Sequence, residues 1–500
     1  MRSCRLRLYR DLERTCGSIL GVPFCSGNVR FEHVHDDDHD DGNLPGFVSS
    51  AHASVANAQN DRKPAGDAGF RQSIHEPRFR PNETEKVMLA QSDHRILGQQ
   101  LDLFHLQEEA PGMVFWHPRG YAMYRALEGA VRSWTVSSGF EEVRTPELIR
   151  SAIWEQSGHW ENFRQHMFAF SDDGKSAAMK PVNCPGHAQI VKKRSLSHRD
   201  LPLRLSEFGV VHRDEPSGVL HGLLRLRQFT QDDGHVFLAE SDVEAEVSRF
   251  CSSLDDFYRS LGFSEISVNF ATRPAQRAGS DAVWDHAEHA LSNAARRAGL
   301  VCQLKPGEGA FYGPKLEFEL GDRHGRRWQC GTIQLDFVLP ERFELWYDDS
   351  SGARARPAML HRAMVGSLER FLGILLEHHE GRLPAWLAPE QVRVLPVHPE
   401  HRPYAEEIVA RLREHELRAG LDARNETLGR RVAEAHGLRI PFSWVVGGRE
   451  LSERSVSERG QGDERRALPL LEAIGRARRA CAAPVSGRDG RSVAPGAACD

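Results

Sequence analysis

Residues 210–237, VVHRDEPSGVLHGLLRLRQFTQDDGHVF, hold Arg213, Glu215, Arg225, Phe229, Gln231, Asp233 and His235 within one hairpin-length segment. Two apolar runs, VVH and LLRLRQF, flank a turn-rich EPSG, which predicts two antiparallel strands joined by a loop. Alternate residues of a strand project from one face, so the polar residues share a surface. A face with arginines, an aromatic ring, acids and a histidine is a poor core and a poor solvating surface. It suits a nucleotide, with guanidinium groups for phosphates, a ring for base stacking and acids for an amine or a metal-bound water.

The same mixture of strand and helix extends outward. Tyr121, Tyr124, Leu127, Val131 and Trp134 recur at helical spacing before Gly139. Residues 240–263 predict an amphipathic helix, ISVNFATR a strand and DAVWDHAEHALSNAARRAGL a helix. LEFELGD and RRWQCGTIQLDFVL predict a further antiparallel pair, and 363–379 a helix with Gly366 in its first turns. Strands joined by hairpins outnumber helices, which predicts an α+β fold with an antiparallel sheet flanked by helices. After LPAWLAPE the pattern becomes a short α/β series, so a smaller α/β domain is expected over 389–480, following a main domain over 93–388. Residues 1–92 are poorly patterned, with few large apolar side chains, and predict a disordered segment. Met88 stands just before the globular pattern and is a possible true start. Residues 481–500 read as a flexible tail.

Composition excludes several classes. The net charge of −5 argues against an indiscriminate nucleic-acid coat. Nine scattered cysteines without a C-x-x-C pair fit a reducing compartment. The apolar run FLGILL is too short to span a bilayer. No G-x-x-x-x-G-K-[ST] loop, strand-linked G-x-G-x-x-G or G-x-S-x-G elbow is present.

Three segments carry a resemblance. Gly139-Phe140-Glu141-Glu142-Val143-Arg144-Thr145-Pro146 looks like motif 1 of a class II aminoacyl-tRNA synthetase, a dimerisation element. Arg213-Asp214-Glu215 with Arg225 to Phe229 fits motif 2, and Gly366-Ser367-Leu368-Glu369-Arg370 fits motif 3. Each is weak alone; the three in this order are a strong joint signal. KPVNCPGH (180–187), RQFTQDDGH (227–235), GEGAFYGPK (307–315), WQCGTIQLDF (328–337) and HRAMVGSLERF (361–371) narrow it to threonyl-tRNA synthetase, over roughly Asp93 to Arg478. The ubiquitin-like and editing modules usual in the bacterial enzyme are not recognisable.

The resemblance implies activation of L-threonine by ATP and its transfer to tRNA(Thr). Arg213 would bridge carboxylate and α-phosphate, Arg370 would hold the γ-phosphate, and Glu215 would contact the adenine amine or position Arg213. Phe229 would stack on adenine, and Arg225, Gln329 and Gly366 would complete the ATP site, with Mg2+ on the triphosphate. Cys184, His235 and His361 match the three ligands of a zinc that recognises threonine. Their separations carry no ligand spacing of their own, although one thiolate and two imidazoles suit zinc with an open fourth position. Gln231, Asp233, Tyr312, Thr332 and Gln334 would line the amino acid pocket, with Cys330 beside it. In the C-terminal unit, which resembles the anticodon-binding domain of this subclass, Arg424, Asn425 and Arg459 would contact the anticodon. Ser457 and Glu458 fall where basic residues are common, and an acid there is expected to weaken phosphate binding. A cytoplasmic homodimer joined through motif 1, with no membrane or DNA partner, is expected. Two rivals are an adenylate-forming paralogue serving another acceptor and an inactive tRNA-binding regulator.

Overall fold

The computed structural model describes residues 92–459 and 465–484. The expectations for residues 1–91, including a start at Met88, and for the tail beyond 484 lie outside the described residues.

The main unit is an eight-stranded sheet. In chain order its strands are β1 (Glu141–Glu142), β2 (Leu203–His212), β3 (Gln228–Leu238), β4 (Ile266–Ala271), β5 (Cys302–Lys305), β6 (Lys315–Gly321), β7 (Arg327–Asp336) and β8 (Ala358–Ser367). The spatial order is β5-β4-β6-β7-β8-β3-β2-β1. The six central strands pair antiparallel, and the outermost pairs, β4/β5 and β1/β2, are parallel.

Strand alternation divides this sheet into two faces. Val236 and Leu238 of β3, Leu316, Phe318 and Leu320 of β6, Ile333 and Leu335 of β7 and Leu360 of β8 join one core. Helices cover that face: α1 (His94–Gln100), α2 (Pro118–Ser137), α4 (Val243–Ser260), α5 (Asp281–Arg297) and α6 (Leu368–His378). Their buried stripes recur every three to four residues, as in Leu127, Val131 and Trp134, or Val243, Val247, Cys251 and Leu254. The intervening positions of the strands point to the opposite face, where α3 (Cys184–Lys192) packs over Leu203, Leu205 and Phe237. Functional side chains collect on that second face.

Two local expectations are corrected. The hairpin is longer than EPSG implies: β3 starts at Gln228, and residues 213–227 form the connection. The run LLRL is apolar because Leu223 and Leu224 pack into the helical core, not because it is a strand. His94 anchors it by accepting the Leu223 N–H at 2.9 Å. Gly366 ends β8 rather than opening a helix, with φ +77, and a Cβ there would meet the Cys330 carbonyl at 3.1 Å. Ser367 caps α6 by accepting the Arg370 N–H at 3.1 Å.

The C-terminal sheet comprises β9 (Val392–Pro396), β10 (Ala419–Leu421), β11 (Phe442–Val446), β12 (Ser455–Arg459) and β13 (Arg465–Pro469), ordered β10-β9-β11-β12-β13. The β9 pairings are parallel and those of β12 antiparallel. Helices α7 (Arg402–Glu414) and α9 (Leu470–Ala480) fill its own core, while α8 (Leu428–Gly437) is tied to it through Arg431, which donates to the Pro396 and Asp422 carbonyls. Arg418 stitches the two sheets' surroundings together by donating to the Trp386 and Ala388 carbonyls.

Candidate active site

At one end of the functional face, Cys184, His235 and His361 each present a donor atom within 4.8 Å of the others. Cys184 opens α3, where Pro185 fits the first turn. His235 of β3 and His361 of β8 are direct cross-strand neighbours, with Nε2 and Nδ1 3.1 Å apart. The remaining ring nitrogens are occupied: His361 Nε2 donates to Asp336 at 3.0 Å, and His235 Nδ1 meets His187 Nδ1 at 2.8 Å. Asp336 is itself fixed by the Val338 and Leu339 amides. Burial pushes the Cys184 thiol well up and holds His235 far below its usual value. A soft donor and two outward imidazole lone pairs fit a zinc-type ion.

The second group of metal-capable side chains, Asp93, His94 and Glu377, does not fit. His94 donates from Nδ1 to Glu377 at 2.6 Å and accepts at Nε2, leaving no lone pair.

Of the residues expected to line an amino acid pocket, Tyr312 and Gln334 adjoin His361. Tyr312 stacks on His361 at 4.8 Å and donates to Gln334 at 2.8 Å. Thr332 and Gln334 pair across strands with Ala363 and His361. Asp233 accepts from Asn183 Nδ2 at 3.0 Å, and burial raises its carboxyl above the usual range. Gln231 Oε1 is buried and finds no partner among the described residues, which suits an incoming donor.

The other end is arginine-rich. Arg213 donates to the Pro181 carbonyl at 3.2 Å and lies over Phe229 at 5.1 Å. Arg225 donates twice to Glu215, at 3.1 and 2.8 Å. Arg370, on the first turn of α6, keeps a buried Nε without a partner and stands 5.9 Å from Trp328. Gln329 is exposed and donates to Glu317 at 3.0 Å. Cys330 is buried nearby, its thiol pushed up to about 12 by burial.

Sequence reasoning missed the supports beneath this surface. On the helix-facing side, Asp232 accepts from the Met364, Val365 and Gly366 amides, holding the irregular end of β8 open. Glu369 accepts the Thr230 amide at 3.0 Å. Burial raises both carboxyls to about 7. His159 stands 3.9 Å from the Cys184 sulfur, and burial drops it to about 3. His187 was legible as an i, i+3 partner of Cys184 on one helix, yet it supports a donor instead of joining the cluster. Burial works against the charged form of Glu207, but hydrogen bonds from His187, Lys180 and Thr145 hold its carboxyl at about 2.

Arg424, Asn425 and Arg459 lie on the C-terminal sheet or its loops, not with these groups. Arg424 is spent on Asp422 at 2.7 Å and on Glu434. Arg459 pairs across strands with Arg465, and burial lowers it. The expectation for Glu458 is corrected: its carboxylate turns inward, accepts the Trp444 indole N–H at 3.1 Å and pairs with Arg476 at 3.3 Å. It is a buried acceptor, not an acid in the path of a phosphate.

Residues 168–379 match the tRNA synthetase class II core domain (G, H, P, S and T), and residues 391–478 the anticodon binding domain. That match and an antiparallel central sheet flanked by helices define a class II aminoacyl-tRNA synthetase core. The threonine–tRNA ligase of Cupriavidus pinatubonensis is 51% identical over 371 residues, covering 74% of this chain and 58% of that protein. That of Ehrlichia canis is 47% identical over 389 residues, covering 78% and 62%. The RNA binding domain of threonyl-tRNA synthetase from Cryptosporidium parvum Iowa II superposes with TM-score 0.76 at 37% identity, covering 79% of this chain and 99% of that one. The chain belongs to the threonyl-tRNA synthetase family. It spans a little under two thirds of the length of the curated relatives it matches. Prolyl-tRNA synthetase from Giardia lamblia, at 17% identity and TM-score 0.61 over 78% of this chain and 75% of that one, shares the fold.

Proposed function

We propose that this chain activates L-threonine with ATP and Mg2+ and transfers it to tRNA(Thr). The observation that carries the reading is the convergence of Cys184, His235 and His361 on the sheet face where Phe229, on the same strand and side as His235, meets the Arg213 guanidinium. In activation a threonine carboxylate oxygen attacks the α-phosphorus and pyrophosphate leaves, so the barrier is chiefly accumulated negative charge. Arg213 would neutralise carboxylate and α-phosphate together, with Phe229 beside it for adenine. Glu215 fixes Arg225 and offers its carboxylate to the adenine amine. Gly366 leaves the nucleotide room at the end of β8, and Arg370 meets the γ-phosphate with its unpartnered Nε. Gln329 completes the nucleotide end. In the transfer step a terminal hydroxyl of tRNA attacks the threonyl carbonyl and AMP leaves.

Cys184, His235 and His361 would hold Zn2+, which when bound supplies a Lewis-acid centre for the substrate amine and hydroxyl. Asp233 and Gln231 accept from the N–H groups of the substrate amine, while Tyr312, Thr332 and Gln334 enclose the side chain. Valine lacks the hydroxyl, and a site built for it rejects such an analogue by about 10⁴-fold or more. Serine lacks one methyl, worth roughly 10–200-fold. We propose that correction of serine is not performed by the described residues.

The reading extends to a cytoplasmic homodimer joined through the segment 139–146. Exposed Leu148 and Phe170, on the small sheet that follows it, support that face as an interface. No helix among the described residues is long and apolar enough to cross a membrane. Arg424, Asn425 and Arg459 are proposed as anticodon contacts, with the Arg424 ion pairs exchanged for tRNA on binding. Pyrophosphate exchange on zinc-replete protein tests the pocket: threonine should support it, serine weakly and valine not at all. Exchange with valine equal to that with threonine would overturn it.

A further inference from the structure

The two histidine donors are oriented by different devices. His361 is held directly by Asp336, whereas His235 is held through a second imidazole. Behind that imidazole lies a buried anchor: Glu207 accepts from Lys180 Nζ at 2.8 Å, from the Thr145 amide at 2.9 Å and from the Thr145 hydroxyl at 2.8 Å. Lys180 also donates to the Thr145 hydroxyl at 3.0 Å. Lys180, Glu207 and His187 are all buried.

The anchor sets the direction of every proton above it. A carboxylate surrounded by three donors only accepts, so His187 Nε2, 3.2 Å from Glu207, carries its proton. Of the two Nδ1 atoms 2.8 Å apart one must accept, and with the His187 proton on Nε2 it is His187 Nδ1, which accepts from His235 Nδ1–H. His235 Nε2 then carries the lone pair, and Nε2 is the atom that faces His361 Nδ1. The opposite tautomer would aim an N–H into the cluster. Gly186 lets α3 approach, since a Cβ there would meet Thr145 at 2.8 Å.

We propose that His187, anchored by Glu207, Lys180 and Thr145, is the positioning residue that fixes the tautomer and ring plane of His235 for metal binding. Metal retention thereby depends on Thr145, three residues beyond β1 in the segment 139–146. This inference rests on the zinc reading above.

The test measures the zinc dissociation constant of the full chain by chelator competition, with the visible spectrum of the cobalt-substituted protein and the KM for ATP alongside. His187→Leu should weaken zinc on the order of 10–100-fold, as loss of an outer-shell partner does. It should also shift the cobalt bands while leaving the KM for ATP unchanged. Glu207→Gln, whose amide can donate to His187 and reverse the chain, should act in the same direction. His187→Gln, which keeps an acceptor and a donor, should restore most of the affinity. Zinc affinity and cobalt spectrum unchanged in both His187→Leu and Glu207→Gln would overturn the relay alone. If His187→Leu fails to fold, unchanged affinity in Glu207→Gln overturns it. Wild-type protein that takes up no zinc would overturn the relay and the zinc reading together.

Discussion

The functional face of the main sheet and the C-terminal sheet present their chemistry in opposite ways. On the main sheet, Cys184, His235, His361, Asp233 and Gln231 are buried or half-buried, and Asp233, His235 and His361 are held by Asn183, His187 and Asp336. On the C-terminal sheet, Arg424 and Asn425 are exposed, and Arg424 is occupied by neighbouring acids. A small substrate needs preorganised, desolvated groups whose geometry survives binding. A macromolecular anion is met by exposed side chains whose weak ion pairs exchange for phosphate or base contacts at little cost.

That contrast predicts a descending series. Cys184→Ala should release zinc and lower threonine-dependent pyrophosphate exchange by more than about 100-fold, exceeding the effect of any supporting partner. Retained metal and activity would break the comparison at its strongest point. Arg370→Ala should cost about 10²–10³ in kcat for exchange, the scale of one lost transition-state donor, with zinc content unchanged. Glu458→Lys should lower the unfolding temperature, because Trp444 loses its acceptor and a cation is buried beside Arg476. A surface acid would instead give tighter tRNA binding with no loss of stability. Arg424→Ala should be mildest, raising the KM for tRNA a few-fold, more at low salt, while leaving exchange untouched.

The two regions also differed in how far they could be read before folding. Phe229, Gln231, Asp233 and His235 alternate along one strand, and their common face was legible from a period of two. The connection 213–227 was not, because the leucines of LLRL serve contact with helices that lie far away in sequence. Gly366 was misplaced into a helix because apolar spacing runs unbroken through the end of β8 into α6. Cys184, His235 and His361 are separated by 51 and 126 residues, and only cross-strand pairing of β3 with β8 unites the histidines. Resemblance supplied that trio; periodicity could not. Glu458 was misread because a charged strand residue is ordinarily outward, and the Trp444 indole that satisfies it comes from a neighbouring strand. His187 was visible at helical spacing from Cys184, but its role depends on Glu207, which becomes its neighbour only when β2 forms.

The central claim, that this pocket selects threonine for tRNA, is most directly tested by charging. The purified full chain, with ATP, Mg2+, zinc and tRNA(Thr), would be offered labelled threonine, serine or valine, and the aminoacyl-tRNA formed followed over time. The account predicts rapid threonyl-tRNA, seryl-tRNA formed roughly 10–200-fold less efficiently, and no valyl-tRNA. Absence of threonyl-tRNA, or valine charged as well as threonine, would contradict it.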